Sequence, residues 1–165
     1  MNHLLIRHAK PSDYQPIIAV VDAWWDGRPM AAMLPKLFFV HFQTTSFVAE
    51  QGGQIVGFVV GFVSQTDPDV AYLHFVGVHP GFRRSGLGRA LYERFFAAAK
   101  EMKCRMVRCV TSPVNKASIA FHRRMGFCVE AGDKMIDGIA VHEGYDGKGE
   151  DRVLFCKTLC DERKA

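Results

Sequence analysis

The hydrophobic period of the chain shifts along its length, and each shift marks an element. Leu4-Leu5-Ile6-Arg7-His8 is a short apolar run that reads as a first strand. Pro11-Ser12-Asp13 offers a turn and a helix start, after which Ile17, Ile18, Val21 and Trp25 recur at helical spacing until Gly27-Arg28-Pro29. Met33, Leu34, Leu37 and Phe38 mark one face of a second helix over Met30 to Phe42, which Pro35 shortens. The period then drops. Ser46 to Glu50 and Gln54 to Ser64 read as strands joined by Gly52-Gly53, a β-hairpin. Past the turn at Thr66 to Asp69, Val70 to His79 is apolar on both faces, as a central strand buried on both sides would be, and Pro80 ends it.

Leu87, Leu91, Phe95 and Ala98 lie on one face of a helix from about Gly86 to Met102. Met106 to Thr111 is a strand stopped by Ser112-Pro113, and a helix follows from Asn115 to Met125, closed by Gly126. Phe127 to Ala131 and Val153 to Leu159 are the last strands. Asp137 to Asp151 reads as a loop, and the tail Asp161-Glu162-Arg163-Lys164 as solvated. The strand–helix–strand unit from Val70 to Thr111 calls for two parallel strands with a right-handed crossover, and the hairpins make the rest antiparallel. The expectation is an α+β fold: a mixed, mostly antiparallel sheet of about seven strands flanked by about four helices, and not a doubly wound dinucleotide fold.

Composition narrows this further. One domain over residues 1–165 suits the length, and no repeat or linker interrupts it. Hydrophobic residues at 48% and charged residues at 23% exclude intrinsic disorder. The net charge of +4 is too small to argue for nucleic acid, but it suits a locally basic pocket for an anion. No apolar stretch approaches the roughly 20 residues a membrane helix needs. His3, Arg7, His8 and Lys10 replace the apolar core of a signal peptide. The five cysteines are odd in number and fit no zinc spacing, so reduced thiols, no metal site and a cytoplasmic location are expected.

Two clusters carry candidate chemistry. In Val76-Gly77-Val78-His79-Pro80-Gly81-Phe82-Arg83-Arg84-Ser85-Gly86-Leu87-Gly88-Arg89 a buried strand ends, a basic turn follows and a helix opens on Gly-x-Gly. Such a start presents unpaired N–H groups and the positive end of a helix dipole, and Arg83, Arg84 and Arg89 add the charge a pyrophosphate demands. Neither a dinucleotide fingerprint nor a P-loop is present. In Asn115-Lys116-Ala117-Ser118-Ile119-Ala120-Phe121-His122-Arg123-Arg124-Met125-Gly126-Phe127, Asn115 opens a helix, and Ser118 and His122 share one face.

Together these clusters resemble the GNAT superfamily of acyl-CoA-dependent N-acyltransferases. Arg83-x-x-Gly86-x-Gly88 is similar to that family's acetyl-CoA signature, and Asn115 to Phe127 to its second motif. The resemblance implies a sheet splayed between the fourth and fifth strands, at a bulge near Gly77. It implies acetyl-CoA as co-substrate, without metal. The pantetheine arm would pair with backbone at Val76 and Val78, beside Gly77, and the pyrophosphate would lie on Arg83, Arg84, Ser85, Gly86, Leu87, Gly88 and Arg89. Asn115, with Ser118 and Phe121 on its helix, would meet the arm.

One departure matters. The family commonly places a tyrosine five residues before the Phe of Gly-Phe, as proton donor to the departing thiolate, and here that position is His122. An imidazolium near pKa 6.5 can protonate a thiolate near 8.5; a packing role fits the residue equally. For the amine's proton the resemblance points to His74, nine residues before Arg83, where a family member carries a strand histidine that serves as base; a buried histidine bonded to its neighbours fits the position equally. By strand alternation Tyr72, His74, Val76 and Val78 share one face. A bell-shaped scheme requires His74 neutral and His122 charged.

The implied activity is transfer of acetyl to a primary amine, a small molecule or a peptide, by direct attack on the thioester. The competing reading, from the missing tyrosine, is a non-catalytic acyl-CoA-binding or regulatory module. The family walls its acceptor site with segments that correspond to Trp24–Phe42 and Asp137–Asp151 here. The second carries Asp137, Glu143, Asp146, Glu150 and Asp151, which would favour a cation; a solvated acidic loop is the plainer reading. Trp24-Trp25 and Phe38-Phe39 read as core. The apolar last strand suggests a homodimer; no nucleic-acid or membrane partner is expected.

Overall fold

In chain order the elements are β1 (Leu5–His8), α1 (Tyr14–Ile18), α2 (Val21–Trp24), α3 (Leu37–His41), β2 (Phe47–Gln51), β3 (Gln54–Val63), β4 (Val70–Val78), α4 (Leu87–Glu101), β5 (Met106–Thr111), α5 (Lys116–Arg124), β6 (Cys128–Val129), β7 (Lys134–Ile136), β8 (Ile139–Val141) and β9 (Val153–Thr158). They come from a computed structural model that describes residues 3–159, so Cys160 and the tail at 161–164 lie outside the described residues. Seven strands form one sheet in the order β1-β2-β3-β4-β5-β9-β6, and β7 and β8 form a separate hairpin. Only β4 and β5 run parallel; the other neighbours are antiparallel.

Two cores sandwich the sheet. Leu87, Leu91, Phe95 and Ala99 of α4 and Ile119 of α5 pack on one face with Ala71, Leu73, Val107 and Phe155. Ile17, Val21, Trp24, Leu34, Phe38 and Phe39 pack on the other with Val48, Phe58, Val60 and Phe75. Trp24, Phe38 and Phe39 are thus core, as read from the sequence, and β4 is buried on both faces.

Several expected boundaries shift for identifiable reasons. The helix expected over 30–42 breaks into a 3₁₀ turn at Ala31–Met33 and the five-residue α3, because Pro35 lacks the N–H a continuous helix needs. Within the segment read as a loop, Ile139–Val141 pairs back on Lys134–Ile136 across Asp137-Gly138, whose φ values are 49° and 76°. Asp-Gly is a hairpin dipeptide, and the short arms hid it. β9 runs between β5 and β6, and β6 pairs with it only at Phe155 and Cys156.

The bulge lies elsewhere than expected. Along β3 and β4 the pairing shifts between Val60↔Phe75 and Gly61↔Leu73, which leaves His74, not Gly77, as the extra residue. The bulge reverses the alternation. Val76 and Val78 pack toward α4, while Tyr72, His74 and Phe75 turn toward α1–α3: Tyr72 stacks on Phe62, His74 on Phe38 and Phe75 meets Phe58. The expected single face for Tyr72, His74, Val76 and Val78 is therefore wrong, because strand alternation does not survive a bulge.

Candidate active site at the strand fork

β4 and β5 pair only through Val70↔Met106, Ala71↔Val107 and Tyr72↔Arg108. Beyond that point each keeps its outer partner, β4 on β3 to Val78 and β5 on β9 to Thr111. The two strands diverge into a fork with Tyr72 and Arg108 at its vertex. His79 N–H donates to Val56 O at 2.9 Å, toward β3. By alternation Gly77 also faces β3, whereas Val76 and Val78 aim their N–H and C=O groups into the fork. Gly77 answers a packing need instead: a Cβ there would come 2.3 Å from the Phe58 ring.

The turn after β4 opens α4. Arg84 and Gly86 have φ of 61° and 87°, and the first bond onto the helix runs from Ala90 N–H to Gly86 O at 3.0 Å. The N–H groups of Leu87, Gly88 and Arg89 precede that bond and form the unpaired end that suits an anion. A Cβ on Gly88 would lie 3.7 Å from the Phe121 ring and 3.8 Å from the Val78 side chain. The end of β4, the start of α4 and the face of α5 thus converge at one point. Asn115 caps α5, its Oδ1 accepting from Ser118 N–H at 3.1 Å.

The basic residues divide. Arg83 Nη2 donates to the Trp24 carbonyl, which ties the turn to α2 and takes this guanidinium away from the role expected for it. Arg89 is exposed and pairs with Glu93 at 2.7 Å. Ser85 Oγ donates to Phe82 O at 2.6 Å, leaving its backbone for the turn.

His122 is 5% exposed. Its Nδ1 donates to Ser118 O at 2.8 Å, with Ser118 Oγ at 3.3 Å, so Nε2 accepts from the Tyr92 hydroxyl at 2.9 Å. Its ring lies parallel to Phe155 at 4.6 Å. Burial pushes the imidazole below its ordinary pKa, against the Ser118 carbonyl, which favours the cation. Burial thus disfavours the charge expected of His122, and both ring nitrogens find partners within the protein. Tyr92, which sequence reasoning missed, is 5% exposed, and burial raises its phenol well above the usual range. The Leu91-Tyr92 step on an otherwise apolar helix face was the available signal.

His74 differs. It is half-buried, stacks on Phe38 at 4.7 Å and 15°, and donates Nε2–H to the Met33 carbonyl at 2.6 Å. That bond fixes the tautomer and leaves Nδ1 as the basic nitrogen. Nearby, burial raises the Tyr72 phenol above its ordinary range, with Tyr145, Asp146 and Arg152 of the segment after β8 within electrostatic range. The carboxylates of the 137–151 loop are paired: Asp137 with Lys116, Glu143 and Asp151 with Lys134, Asp146 and Glu150 with Arg152. With Lys148 in the same loop, four cations stand against five carboxylates, so the wall is acidic by a single charge.

A parallel strand pair that opens beside a glycine-led helix N-terminus is matched by sequence comparison. Residues 8–127 fit the profile of the Acetyltransferase (GNAT) family. The chain belongs to that family. An L-2,4-diaminobutyric acid acetyltransferase of Halomonas elongata is 30% identical over 123 residues, 74% of this chain and 64% of that protein. An uncharacterized N-acetyltransferase of Methanocaldococcus jannaschii is 36% identical over 85 residues, 49% of this chain and 38% of the relative. The matches thus span between 38% and 64% of these curated relatives. Among solved structures, Ard1 from Thermoplasma volcanium superposes with a TM-score of 0.76 at 22% identity, over 96% of this chain and 99% of that one. The diaminobutyrate acetyltransferase of Paenibacillus lautus, solved with L-2,4-diaminobutyric acid and coenzyme A, gives 0.69 at 22% identity, over 98% and 99%. Among the described residues no helix is long and apolar enough to cross a membrane, and no cluster of three His, Cys, Asp or Glu is arranged to hold a metal.

Proposed function

We propose that the chain transfers acetyl from acetyl-CoA to a primary amine by direct attack of the amine on the thioester. The observation that carries this is the fork, open between β4 and β5 just where the helix N-terminus of α4 begins. Its free amides at Val76 and Val78 suit the two amides of a pantetheine arm, which pairs there as an added strand would. The turn at 84–89 receives the pyrophosphate, with Arg84 as its cation, while Asn115, Ser118 and Phe121 flank the arm. Arg83 takes no part.

The amine enters from the opposite face, between α3 and the loop after β8. Removing a proton at pH 7 from an amine near pKa 10.4 costs roughly 4–5 kcal/mol, so a base is useful. His74 Nδ1 takes that proton, oriented by Met33 and the Phe38 ring. His122 donates no proton; water protonates the thiolate, a weak base whose conjugate thiol is near pKa 8.5. The acidic wall favours a cationic acceptor, and the relatives' names make L-2,4-diaminobutyrate the first to try. The test is thiol release from acetyl-CoA across diaminobutyrate, other diamines and N-terminal peptides, with product mass identifying the acetylated nitrogen. Release with one of these amines, far above the no-enzyme rate, supports the proposal. Coenzyme A binding with no release on any amine overturns it in favour of a binding module.

A further inference from the structure

The face of the sheet that carries Tyr72 continues past the fork as a row of cross-strand partners. Tyr72 on β4 pairs with Arg108 on β5, Arg108 with Cys156 on β9, and Cys156 with Cys128 on β6. Directly opposed residues on neighbouring strands project to the same side, so the two cysteine side chains stand next to each other on one face. Val153 and Phe155, which alternate with Leu154 and Cys156, fill the core under α4 and α5; the cysteine pair therefore stands on the other face, away from that core. Cys128 is exposed and Cys156 half-buried, and both are free thiols. Cys104 and Cys109 are buried.

The pairing geometry admits a bond. Glu130 N–H donates to Leu154 O at 2.8 Å, which makes 130 and 154 a hydrogen-bonded pair. Two residues on, 128 and 156 form the next pair of that kind, with Cα atoms about 5.5 Å apart. Disulfides span roughly 4.4–6.8 Å between Cα atoms. Their Cβ atoms want about 3.5–4.5 Å, whereas opposed strand residues sit at about 4.5–5.5 Å. The strands must draw together slightly, so the bond is strained and easily reduced. Glu130 lies beside Cys156 and pairs with Arg108 at 3.4 Å, which leaves the site polar and wet at its rim.

We propose that Cys128 and Cys156 form a dithiol site that is reversibly oxidised to a cross-strand disulfide by low-molecular-weight disulfides. The exposed Cys128 thiolate attacks one sulfur of the small disulfide, forming a mixed disulfide and expelling one thiolate. The Cys156 sulfur, deprotonated in the step, then attacks Cys128 Sγ and expels the second. Two protein thiols are oxidised, one small disulfide is reduced to two thiols, and two protons balance the thiolates released.

Glutathione disulfide is the probe, in a Cys160→Ser background because Cys160 lies outside the described residues. Thiol titration and peptide mass mapping should show the loss of two thiols, a mass lower by two hydrogens, and a Cys128–Cys156 crosslinked peptide. Cys104 and Cys109 should stay reduced. Excess glutathione should restore both thiols. Cys156→Ser should hold a stable glutathione adduct on Cys128, and Cys128→Ser should react roughly tenfold more slowly or less, through the half-buried Cys156. A stable adduct on Cys128 in the parent protein with Cys156 still free, or no reaction at all, would overturn the proposal.

Discussion

Replacing His122 by phenylalanine separates a structural histidine from a catalytic one. Phenylalanine keeps the ring stacked on Phe155, 4.6 Å away in the parent. It leaves the Tyr92 hydroxyl, in a residue 5% exposed, without its acceptor at 2.9 Å. An unsatisfied buried hydroxyl costs about 1–3 kcal/mol. Tyr92→Phe leaves His122 Nε2 without its donor, with a cost of the same order. The double variant removes both polar partners and loses only the net bond, about 0.5–1.5 kcal/mol. The cycle should therefore show a coupling of about 1.5–4.5 kcal/mol, with the double variant more stable than the sum of the singles predicts. Urea unfolding of the four proteins measures it. The pH dependence has a definite sign. Burial lowers the folded pKa of His122 below the unfolded value near 6.5. As pH falls through that value the unfolded chain binds a proton that the folded chain refuses, so stability drops. His122→Phe should flatten this part of the profile, and the double variant should keep its kcat. Additive singles, an unchanged pH profile, or a fall in kcat of ~10²–10⁴ in the double variant would refute the structural assignment and restore a proton-donating His122.

His74→Gln should lower kcat by ~10²–10⁴, most at low pH where the amine is most fully protonated, while leaving the Kd for acetyl-CoA unchanged; wild-type kcat across the pH range would remove His74 as base. Arg84→Glu should weaken acetyl-CoA binding by roughly tenfold or more in calorimetric titration. Arg84→Gly, which relieves a side chain held at φ 61°, should lose affinity yet be more stable by up to about 1 kcal/mol in urea; a loss of stability would contradict the strain. Gly77→Ala drives a methyl into the Phe58 ring and should cost about 1–3 kcal/mol, read as a lower Tm; an unchanged Tm would mean the strand moves freely.

The order of the sheet's strands along the chain was legible because each carries its own period: the hairpin through Gly52-Gly53, the doubly buried β4, and the parallel β5 after a long amphipathic α4. The glycine turn was legible because Gly86 at φ 87° and the bare amides before Ala90 are local properties of Gly-x-Gly. The bulge at His74 was not, since it arises from fitting β4 against β3, where Gly61 admits Phe95 and Tyr72 O, rather than from any residue in β4 itself. One misplaced residue then put His74 on the wrong face. His122 failed for a related reason: helical spacing set it beside Ser118, but only the packing of α4 on α5 brings Tyr92 to its second nitrogen. Arg83 read as a phosphate ligand by its charge and its place in the Arg83-x-x-Gly86-x-Gly88 signature, whereas its partner, the Trp24 carbonyl, is 59 residues away in sequence. The pairing of Asp137 with Lys116 on α5, 21 residues away, was hidden in the same way, whereas Asp146 and Glu150 meet an Arg152 that adjoins the loop.

The central claim is that the fork receives the acyl-CoA arm on the backbone of Val76 and Val78. Amide hydrogen exchange, resolved residue by residue by NMR with and without coenzyme A, tests it directly. Protection should rise at Val76, Val78 and the amides of residues 84–89, and stay unchanged at Gly77 and His79, which already face β3. Binding that protects the 84–89 turn while Val76 and Val78 exchange as before would contradict the account.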